Sequence, residues 1–485
     1  MADLTPVLVG VAQLEQRIDD PAQAKEPIEL MIDAVHAAVA DAGTNELLNA
    51  TSVRVIRGIW GYENPAAAVA EAIGNPNAET AITPYGGNFV QTTLNRSALD
   101  IQAGKHDAII ITGAECGNTQ AKAARAGHEL NWRDIPGTPD LSMGDEVDMR
   151  HEAEKAVRLG RPIQVYPIFE TALRHHEGLS VEEHLSKISN LWAGFSAVAA
   201  DNPHAWIRDA KSAAEIATPS AVNRPVSFPY PKFMNSNNNV DQGAALIMCS
   251  VEQARKLGIA ESKWVYPWAG TDAHDHYFVS NRDNLYSSPA IRLAGNRCLE
   301  LAGVNVSDID HVDVYSCFPV AVQVAAKELG LDISKPLTVT GGLTWAGGPL
   351  NNYVMHSIAQ MAQVLRGNPG QKGLITANGG YLTKHAFGVY STEPPASPYQ
   401  HADLQSEVDA TFKREVSLDH NGTADIEGYA VMYGADGPNK AFMALRTPDD
   451  RRAWAVSEDV DVLTDMTREE FCGRSITVAD HVASF

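Results

Sequence analysis

The same helix-strand unit occurs twice in this chain, and each copy begins with a pair of glycines. In the first copy Gly86-Gly87 precedes an apolar helix pattern that leads to the buried strand pattern of residues 108–113. In the second copy Gly347-Gly348 precedes a similar pattern that leads to residues 372–376. A unit used twice, far apart in the chain, predicts a duplicated α/β fold. We expect the two glycine-marked helix N-termini to meet at one functional site.

The chain has 485 residues, which is too long for one ordinary core. Between residues 118 and 234 the alternation of strand and helix patterns stops, with helical stretches but no buried strand, and this segment is predicted to lie over the site. The proline-rich run 393–398 can continue neither a helix nor a central strand. The strand patterns beyond it predict a small β-sheet domain. The predicted domains are an N-terminal half (1–117 and 235–260), an inserted loop domain (118–234), a C-terminal half (261–392) and a small β-barrel of the oligonucleotide/oligosaccharide-binding type (398–485).

The charge and the cysteines narrow the classes of partner and compartment. A formal net charge of -22 repels nucleic acid and anionic membrane surfaces, so neither is expected as a partner. No apolar run approaches the roughly 20 residues of a membrane-spanning helix. The five cysteines are scattered without paired metal-ligand spacing, which predicts a reduced, cytoplasmic protein with no metal site.

Five segments occur in an order and spacing typical of one enzyme superfamily. They are residues 82–115, 241–245, 315–318 (Tyr315-Ser316-Cys317-Phe318), 341–349 and 378–380. On these segments, over roughly residues 1–392, the chain resembles the thiolase superfamily and most of all its sterol-carrier-protein-associated branch. The resemblance implies two thiolase halves layered α-β-α-β-α, acyl-CoA substrates in lipid or steroid metabolism, and no tightly bound cofactor, since coenzyme A enters as part of the substrate.

The chain departs from this family at the reacting residues. A thiolase needs a cysteine nucleophile at the N-terminus of the first buried helix, where the helix dipole and a nearby histidine stabilise the thiolate. The matching position is Gly87 or its neighbour Gly86. The family's Gly-His-Pro motif appears as Gly347-Gly348-Pro349, and the second cysteine falls near Asn378. We therefore expect no covalent acyl-enzyme and no ordinary condensation or thiolysis.

The residues that remain suit a different carbon-carbon bond reaction. The His-Asp-Cys-Phe motif of the sterol-carrier branch appears here as Tyr315-Ser316-Cys317-Phe318, with Tyr315 in place of the histidine. A tyrosine at this position also resembles thiolase-like retro-aldol lyases, in which a tyrosine transfers protons and no nucleophile is needed. Tyr315 can act as the base if a neighbouring cation lowers its pKa from about 10. The candidate catalytic residues are Tyr315, Tyr381 and His385. The candidate oxyanion or substrate-pocket residues are Gly86, Gly87, Cys317, Gly348, Asn378, Gly380 and Lys384.

Several alternatives stay open on sequence alone. The chain can be an acyltransferase or lyase, or a binding or scaffolding protein that keeps the CoA site without catalysis. Tyr315 can be a strand-edge aromatic, Cys317 a buried small hydrophobe and Lys384 a solvated surface charge. The cations that can hold CoA phosphates are Lys122, Arg125, Arg133, Arg150, Lys155, Arg158 and Arg161, interleaved with acids. The protein can be a homodimer, or a monomer if the C-terminal barrel blocks the thiolase interface.

Overall fold

The computed structural model describes residues 3–485. Its strands are β1 (Pro6–Glu15), β2 (Ser52–Val55), β3 (Glu79–Ile82), β4 (Ala108–Cys116), β5 (Leu141–Ser142), β6 (Pro225–Phe228), β7 (Tyr230–Pro231), β8 (Asp241–Ser250), β9 (Tyr266–His274), β10 (His311–Asp313), β11 (Lys372–Gly379), β12 (Lys384–Ser391), β13 (Gln400–Asp403), β14 (Gly422–Gly434), β15 (Gly437–Arg446), β16 (Arg452–Ser457), β17 (Ser475–Ala479) and β18 (Val482–Ser484). Its α-helices are α1 (Pro27–Ala42), α2 (Pro65–Ala72), α3 (Phe89–Gln102), α4 (Gly117–Ala126), α5 (Glu152–Ala156), α6 (Pro162–Glu177), α7 (Val181–Asp201), α8 (Ala213–Ala217), α9 (Val251–Lys256), α10 (Pro289–Leu301), α11 (Pro319–Leu329), α12 (Gly342–Trp345), α13 (Tyr353–Gly367), α14 (Gln405–Asp409) and α15 (Val460–Met466).

Two mixed sheets repeat one strand topology. The first sheet has the order β1-β8-β4-β2-β3-β5, and the second has the order β10-β11-β12-β9-β13. In both, the first strand of the half lies antiparallel to the last, the last lies antiparallel to a central strand, and that central strand pairs in parallel with an earlier one. The segment β1, β8, β4, β2 thus corresponds to β9, β12, β11, β10. The predicted duplication is confirmed.

Helices form three layers around these two sheets. Helices α3 and α13 lie between the sheets and contact strands of both, so they bury residues on every side. Helix α1 covers the outer face of the first sheet, and α10 and α11 cover the outer side of the second. Strand β4 is buried along its whole length because helices cover both faces of its sheet. The predicted α-β-α-β-α layering is confirmed, and both glycine pairs precede the central helices.

The third sheet joins the C-terminal segment to the inserted one. Its order is β15-β16-β18-β17-β14-β6-β7, and a further pairing of β14 with β15 closes a circuit of five strands. The predicted C-terminal sheet domain is present, while its assignment to the oligonucleotide/oligosaccharide-binding type stays a prediction. The expectation of no buried strand in residues 118–234 is wrong, since β7 and the last two residues of β6 are buried and β6 pairs with β14. Such short strands leave no hydrophobic period to read.

The boundary predicted at residue 398 lies too early. Strand β13 follows the proline-rich run, yet it pairs in parallel with β9 and belongs to the second sheet. Its side chains are largely accessible, so its sequence carries no core signal. The other predicted domain bounds stay predictions.

Two further observations concern membrane-spanning helices and the state of the cysteines. Among residues 3–485, no helix combines the length and the apolar character needed to cross a bilayer. All five cysteines are free and buried, each as a lone thiol. The cysteines therefore contribute packing and form no disulfide framework.

Candidate active site between the two halves

A cavity of about 550 Å³ lies where the N-terminus of α3 meets loops of the second half and the inserted segment. The residues that line it include Gly86, Gly87, Ile163, Tyr166, Ser236, Tyr315, Cys317, Asn378, Gly380 and Tyr381. Aliphatic and aromatic carbon forms most of its wall, with a few polar groups between. This composition is typical of a small-molecule site. The structure thus brings together most of the pocket residues that the sequence predicts.

Tyr315 occupies the place of a side chain at Gly87. A Cβ atom added to Gly87 would overlap the Tyr315 hydroxyl oxygen and would lie 2.5 Å from the Asn378 carbonyl oxygen. The residue at this helix N-terminus must therefore be glycine while the tyrosine is in place. The neighbouring amide of Gly86 donates to Asn351 Oδ1 (3.1 Å), which fixes the chain entering α3. The Tyr315 hydroxyl, which belongs to the second half, thus fills the space that a side chain at Gly87 in the first half would occupy.

Gly348 shows the same exchange on the other side of the site. A Cβ atom added to Gly348 would overlap Ser236 Oγ and would lie 3.1 Å from Asn238 Oδ1. Ser236 donates to Asn238 Oδ1 (2.9 Å), and both line the cavity, whereas Gly348 does not. The space of a histidine side chain at Gly348 is thus filled by Ser236, which lies in the connection between β7 and β8. No imidazole reaches the cavity from this position.

The Tyr315 hydroxyl is neutral at pH 7. Burial, and after it the neighbouring Cys317, raise the pKa of Tyr315 above its usual range. A base at Tyr315 was expected only if a neighbouring cation lowers this pKa, and among the described residues no cation does so. The buried environment of Tyr315 therefore excludes a permanently ionised phenolate at this position. The hydroxyl can take a proton only if it gives up its own.

Tyr166 of α6 joins three parts of the cavity wall through one hydroxyl. It accepts hydrogen bonds from Asn378 Nδ2 (3.0 Å) and the Leu382 amide (2.9 Å) and donates to the Gly380 carbonyl (3.1 Å). Its ring stacks on Phe318 with centroids 4.4 Å apart. Tyr166 was not predicted from the sequence, because it lies in the inserted segment with no motif around it. Its amphipathic helix was the only available signal.

Asn378 and Cys317 take part in the hydrogen-bond network around Tyr166 and do not form a free oxyanion site. Asn378 Nδ2 also lies 3.7 Å from Cys317 Sγ, so its amide donors are committed. Asn378 Oδ1 is buried without a partner in the described chain. Burial raises the pKa of Cys317 to about 12, so this residue is a thiol at neutral pH. Cys317 is therefore unsuited to act as a nucleophile.

Tyr381 closes the wall of the cavity. Its hydroxyl donates to the Gly160 carbonyl (2.6 Å), which ties the loop between β11 and β12 to the start of α6. Burial also raises the pKa of Tyr381. The ring borders the cavity, but the hydroxyl is committed to the backbone. This geometry favours a wall residue over a proton-transfer residue.

Lys384 and His385 lie on β12 behind the cavity and not on its lining. Lys384 is buried and not a solvated surface charge. Its ammonium donates to the Tyr85 carbonyl (2.6 Å) and lies 5.0 Å from the Phe89 ring centroid, and burial lowers its pKa. His385 is buried with Nε2 facing Asp275 Oδ2 at 3.6 Å. Any catalytic role of these two residues is indirect.

The basic residues predicted for CoA phosphates are only partly available. Arg161 lines the cavity at the N-terminus of α6. Arg133 is paired with Glu26, and Lys155 lies 2.9 Å from Asp148. Arg161 is thus the predicted cation best placed for an anionic ligand entering the cavity.

Family models match part of the second half and the C-terminal sheet domain, and one solved structure matches the whole chain. The family model described as the thiolase-like protein type 1 additional C-terminal domain matches residues 403–481, and that of the thiolase C-terminal domain-like family matches residues 271–335. The crystal structure of a monomeric SCP2-thiolase-like protein type 1 from Mycobacterium smegmatis is 32% identical in sequence. The similarity covers 100% of both chains with a TM-score of 0.84.

More distant relatives share the thiolase part. The acetyl-CoA acetyltransferase of Methanocaldococcus jannaschii is 21% identical over 275 residues, which are 56% of this chain and 62% of that protein. The match thus spans less than two thirds of that relative's length. The structure of the Ltp2-ChsH2(DUF35) aldolase is 18% identical over 80% of this chain and 97% of that one, with a TM-score of 0.61. At this identity the likeness is one of fold.

Proposed function

Because the chain belongs to the thiolase superfamily, among the SCP2-thiolase-like proteins of type 1, we propose that its cavity binds acyl-CoA thioesters and cleaves a carbon-carbon bond by retro-aldol chemistry. One observation carries the proposal. The Tyr315 hydroxyl fills the space that a nucleophile at Gly87 would need. The site therefore keeps a polar reacting group at the N-terminus of α3 but loses the thiol. The fold shared with an aldolase supports this class of reaction.

The proposed reaction uses proton transfer without a covalent intermediate. A base removes the proton of a β-hydroxyl, the carbon-carbon bond breaks, and the resulting thioester enolate takes up a proton. Tyr315 is the proposed proton-transfer group. The positive end of the α3 dipole, with the Gly87 amide, favours negative charge developing on the thioester oxygen. The apolar wall around Tyr166 excludes water and strengthens these interactions.

A cytoplasmic location and a role in lipid or steroid metabolism fit the free cysteines and the acyl-CoA relatives. Coenzyme A enters as part of the substrate, with no further cofactor.

A binding protein without catalysis is the second candidate, and one observation favours it. Burial raises the pKa of both Tyr315 and Cys317, so neither is ionised at neutral pH. A cavity with these two groups can hold a thioester without attacking it. Both candidates require CoA binding, which calorimetric titration at low salt should detect between micromolar and millimolar Kd, or roughly 4 to 8 kcal/mol. Failure to bind both CoA and an acyl-CoA rejects the two together.

Tyr315→Phe separates the two candidates. It removes the hydroxyl, keeps the ring and should lower turnover of a β-hydroxyacyl-CoA by about 10² to 10⁴ while the Kd for CoA hardly changes. The control is Tyr286→Phe, since the Tyr286 hydroxyl makes no hydrogen bond to any residue within 3–485 and lies outside the cavity. Equal turnover by wild type and Tyr315→Phe would reject the enzymatic candidate with this residue. Binding without turnover by the wild type would favour the second candidate.

The absence of a nucleophile is tested by mass. Incubation with acetoacetyl-CoA followed by intact-mass analysis should show only the unmodified protein, since Gly87 carries no side chain and Cys317 is a thiol. A stable acetyl adduct at Cys116 or Cys317 would contradict the proposal and restore a thiolase-type mechanism.

A further inference from the structure

Lys384 brings a buried positive charge to the N-terminus of α3. Its ammonium donates to the Tyr85 carbonyl (2.6 Å) and lies 5.0 Å from the centroid of the Phe89 ring. A Cβ atom added to Gly86 would lie 2.8 Å from Lys384 Nζ, so the ammonium lies directly beside Gly86. Tyr85 and Gly86 both line the cavity. The charge therefore stands immediately behind the cavity wall.

No carboxylate of residues 3–485 forms an ion pair with this ammonium. The acid that acts on it from a distance, Glu146, is exposed and accepts from the Tyr85 amide (2.9 Å) instead. Burial lowers the pKa of Lys384, which is the direction expected for an ammonium taken out of water without a counter-ion. Its partners are a carbonyl oxygen and the face of an aromatic ring, which are groups that a cation takes. Lys384 is thus a buried charge that the protein leaves uncompensated.

A second cation flanks the same segment of chain. The Arg57 guanidinium lies over the Tyr85 ring, with Cζ 5.0 Å from the ring centroid, and its Nε is buried without a partner in the part of the chain that the structure describes. The Arg57 carbonyl accepts from Asn351 Nδ2 (2.7 Å), and Asn351 Oδ1 accepts from the Gly86 amide (3.1 Å). The whole chain has a formal net charge of -22. The N-terminus of α3 is therefore a place where the charge of the protein is locally reversed.

This arrangement costs folding free energy. The N-terminus of a helix is its positive end, so a cation there is opposed by the helix dipole as well as by burial. The Gly87 amide has no acceptor within residues 3–485, and Gly87 lines the cavity. Positive charge, a free amide and the positive end of a helix all favour a negative charge in the cavity beside Gly87. Unfavourable electrostatics of this kind are typical of functional sites.

We propose that Lys384 is a positioning residue whose charge stabilises the thioester enolate at the N-terminus of α3. The proposal rests on the retro-aldol function proposed above and adds the group that stabilises its anion. When the carbon-carbon bond breaks, its electron pair moves onto the thioester and leaves a negative oxygen. The β-hydroxyl proton passes to Tyr315 as Tyr315 gives up its own, and the enolate carbon takes up one proton, so none is gained or lost overall. Lys384 keeps its proton throughout and acts through space, across the backbone of Gly86.

The first test measures binding and needs no turnover. S-carboxymethyl-CoA carries a carboxylate close to the sulfur, whereas S-ethyl-CoA carries a neutral group there. Calorimetry on the full chain should show that the wild type binds the anionic analogue at least about 10-fold more tightly. Lys384→Gln keeps a hydrogen-bond donor and removes the charge. It should weaken binding of S-carboxymethyl-CoA by about 10- to 100-fold and change the Kd for S-ethyl-CoA by no more than about two-fold.

Two further variants separate charge from structure. Lys384→Arg keeps both the donor and the charge and should retain the preference for the anionic analogue. Lys372→Gln is the matched control, because Lys372 lies at the other end of the β11–β12 pair, with Nζ 5.8 Å from the Trp268 ring centroid and outside the cavity. An equal loss of affinity for both analogues in Lys384→Gln would mean a merely structural role and would overturn the proposal. A wild type without preference for the anionic analogue would overturn it even if Lys384→Gln does not fold.

The second test is kinetic and separates this inference from the proposed function. Lys384→Gln should lower kcat for a β-hydroxyacyl-CoA by about 10- to 100-fold with little change in KM, because the negative charge develops only after the substrate is bound. A wild type that cleaves the substrate together with a Lys384→Gln variant of equal kcat refutes the role of Lys384 alone. A wild type that cleaves no β-hydroxyacyl-CoA refutes the proposed reaction, and the enolate role of Lys384 with it, whichever analogue binds more tightly.

Discussion

At the scale of single residues, the site is defined by two glycines whose side-chain space is used by other residues. The Tyr315 hydroxyl stands at Gly87 and the Ser236 hydroxyl at Gly348. The polar groups at these two positions thus come from other elements than the ones that carry the glycines. The consequence is a tight steric dependence between residues far apart in the chain.

Gly87→Ala should show this dependence as lost stability. The added Cβ would overlap the Tyr315 hydroxyl, and we expect a loss of about 1–3 kcal/mol of unfolding free energy from overpacking. Gly61→Ala is the control, because a Cβ there has no heavy atom within 4 Å. Urea denaturation of both variants measures the difference. In the background of Tyr315→Phe the cost should shrink without vanishing, because the Asn378 carbonyl oxygen still lies 2.5 Å from the added Cβ. An undiminished cost would mean that the Tyr315 hydroxyl contributes nothing to the clash.

Glu115, at the end of β4, should make stability depend on pH. Burial raises its pKa to about 7, although the Ile59 amide donates to Oε1 (2.7 Å) and opposes this shift. Between about pH 4.5 and 7 the folded chain binds a proton that the unfolded chain has lost, so the unfolding free energy falls as pH rises. Glu115→Gln keeps the acceptor and should gain about 1–3 kcal/mol at pH 8 and little at pH 4.

The control for this pH effect is Glu71→Gln, an exposed carboxylate on α2. Thermal unfolding between pH 4 and pH 8 compares the variants. A gain at Glu115→Gln of equal size at both ends of this range would contradict the assigned ionisation.

At the scale of elements, α6 is the part of the inserted segment that matters most to the site. Its first turns carry Tyr166 into the cavity wall, and its later turns pack on the third sheet, where Thr171 Oγ1 donates to the Tyr429 carbonyl (2.8 Å). Arg174 Nη2 donates to the Tyr429 hydroxyl (2.9 Å). One helix therefore connects the cavity with the C-terminal domain.

Tyr166→Phe should loosen the loop between β11 and β12. It leaves the Leu382 amide, Asn378 Nδ2 and the Gly380 carbonyl without their shared partner, each at a cost of about 1–3 kcal/mol if water cannot replace it. We expect a lower melting temperature and weaker CoA binding, measured by calorimetry. Tyr286→Phe again serves as the control. Unchanged stability with unchanged affinity would mean that water enters the site and takes over these bonds.

Sequence patterns predicted the long elements and missed the short ones. Helix α1 is a long element of this kind, because its sixteen residues show one apolar face and begin with a proline, which together indicate its bounds. Strands β6 and β7 were missed because two to four residues carry no period. The motif segments indicated the place of the cavity, since four of the five contribute residues to its lining, segment 241–245 being the exception. Neither Tyr166 nor the filling of the Gly87 space was predictable, because both depend on contacts between segments distant in the chain.

At the scale of the whole molecule, one edge of each thiolase-type sheet is covered by a short additional strand. Strand β5 pairs with β3 at one edge, and β13 pairs with β9 at another. An exposed edge is a template for pairing with a second chain, and short covering strands reduce that opportunity. Both covering strands come from segments outside the duplicated units.

We therefore expect a monomer. Light scattering coupled to size-exclusion chromatography should give a mass near 52.2 kDa that does not change with protein concentration. A mass of twice that value at micromolar concentration would show that the covering strands leave an interface open. Serial dilution tests for weak association, because a dimer dissociates as the protein concentration falls toward its Kd.

The exchange of side chains at the two glycines restricts the evolutionary paths open to this protein. A cysteine at Gly87 would overlap the Tyr315 hydroxyl, and a histidine at Gly348 would overlap Ser236 Oγ. At Gly87 the Asn378 carbonyl oxygen also lies 2.5 Å from the added Cβ, so replacing Tyr315 alone does not make room there. A thiol at this site would therefore require coordinated changes in several segments, whereas substitutions that keep the tyrosine meet no such barrier.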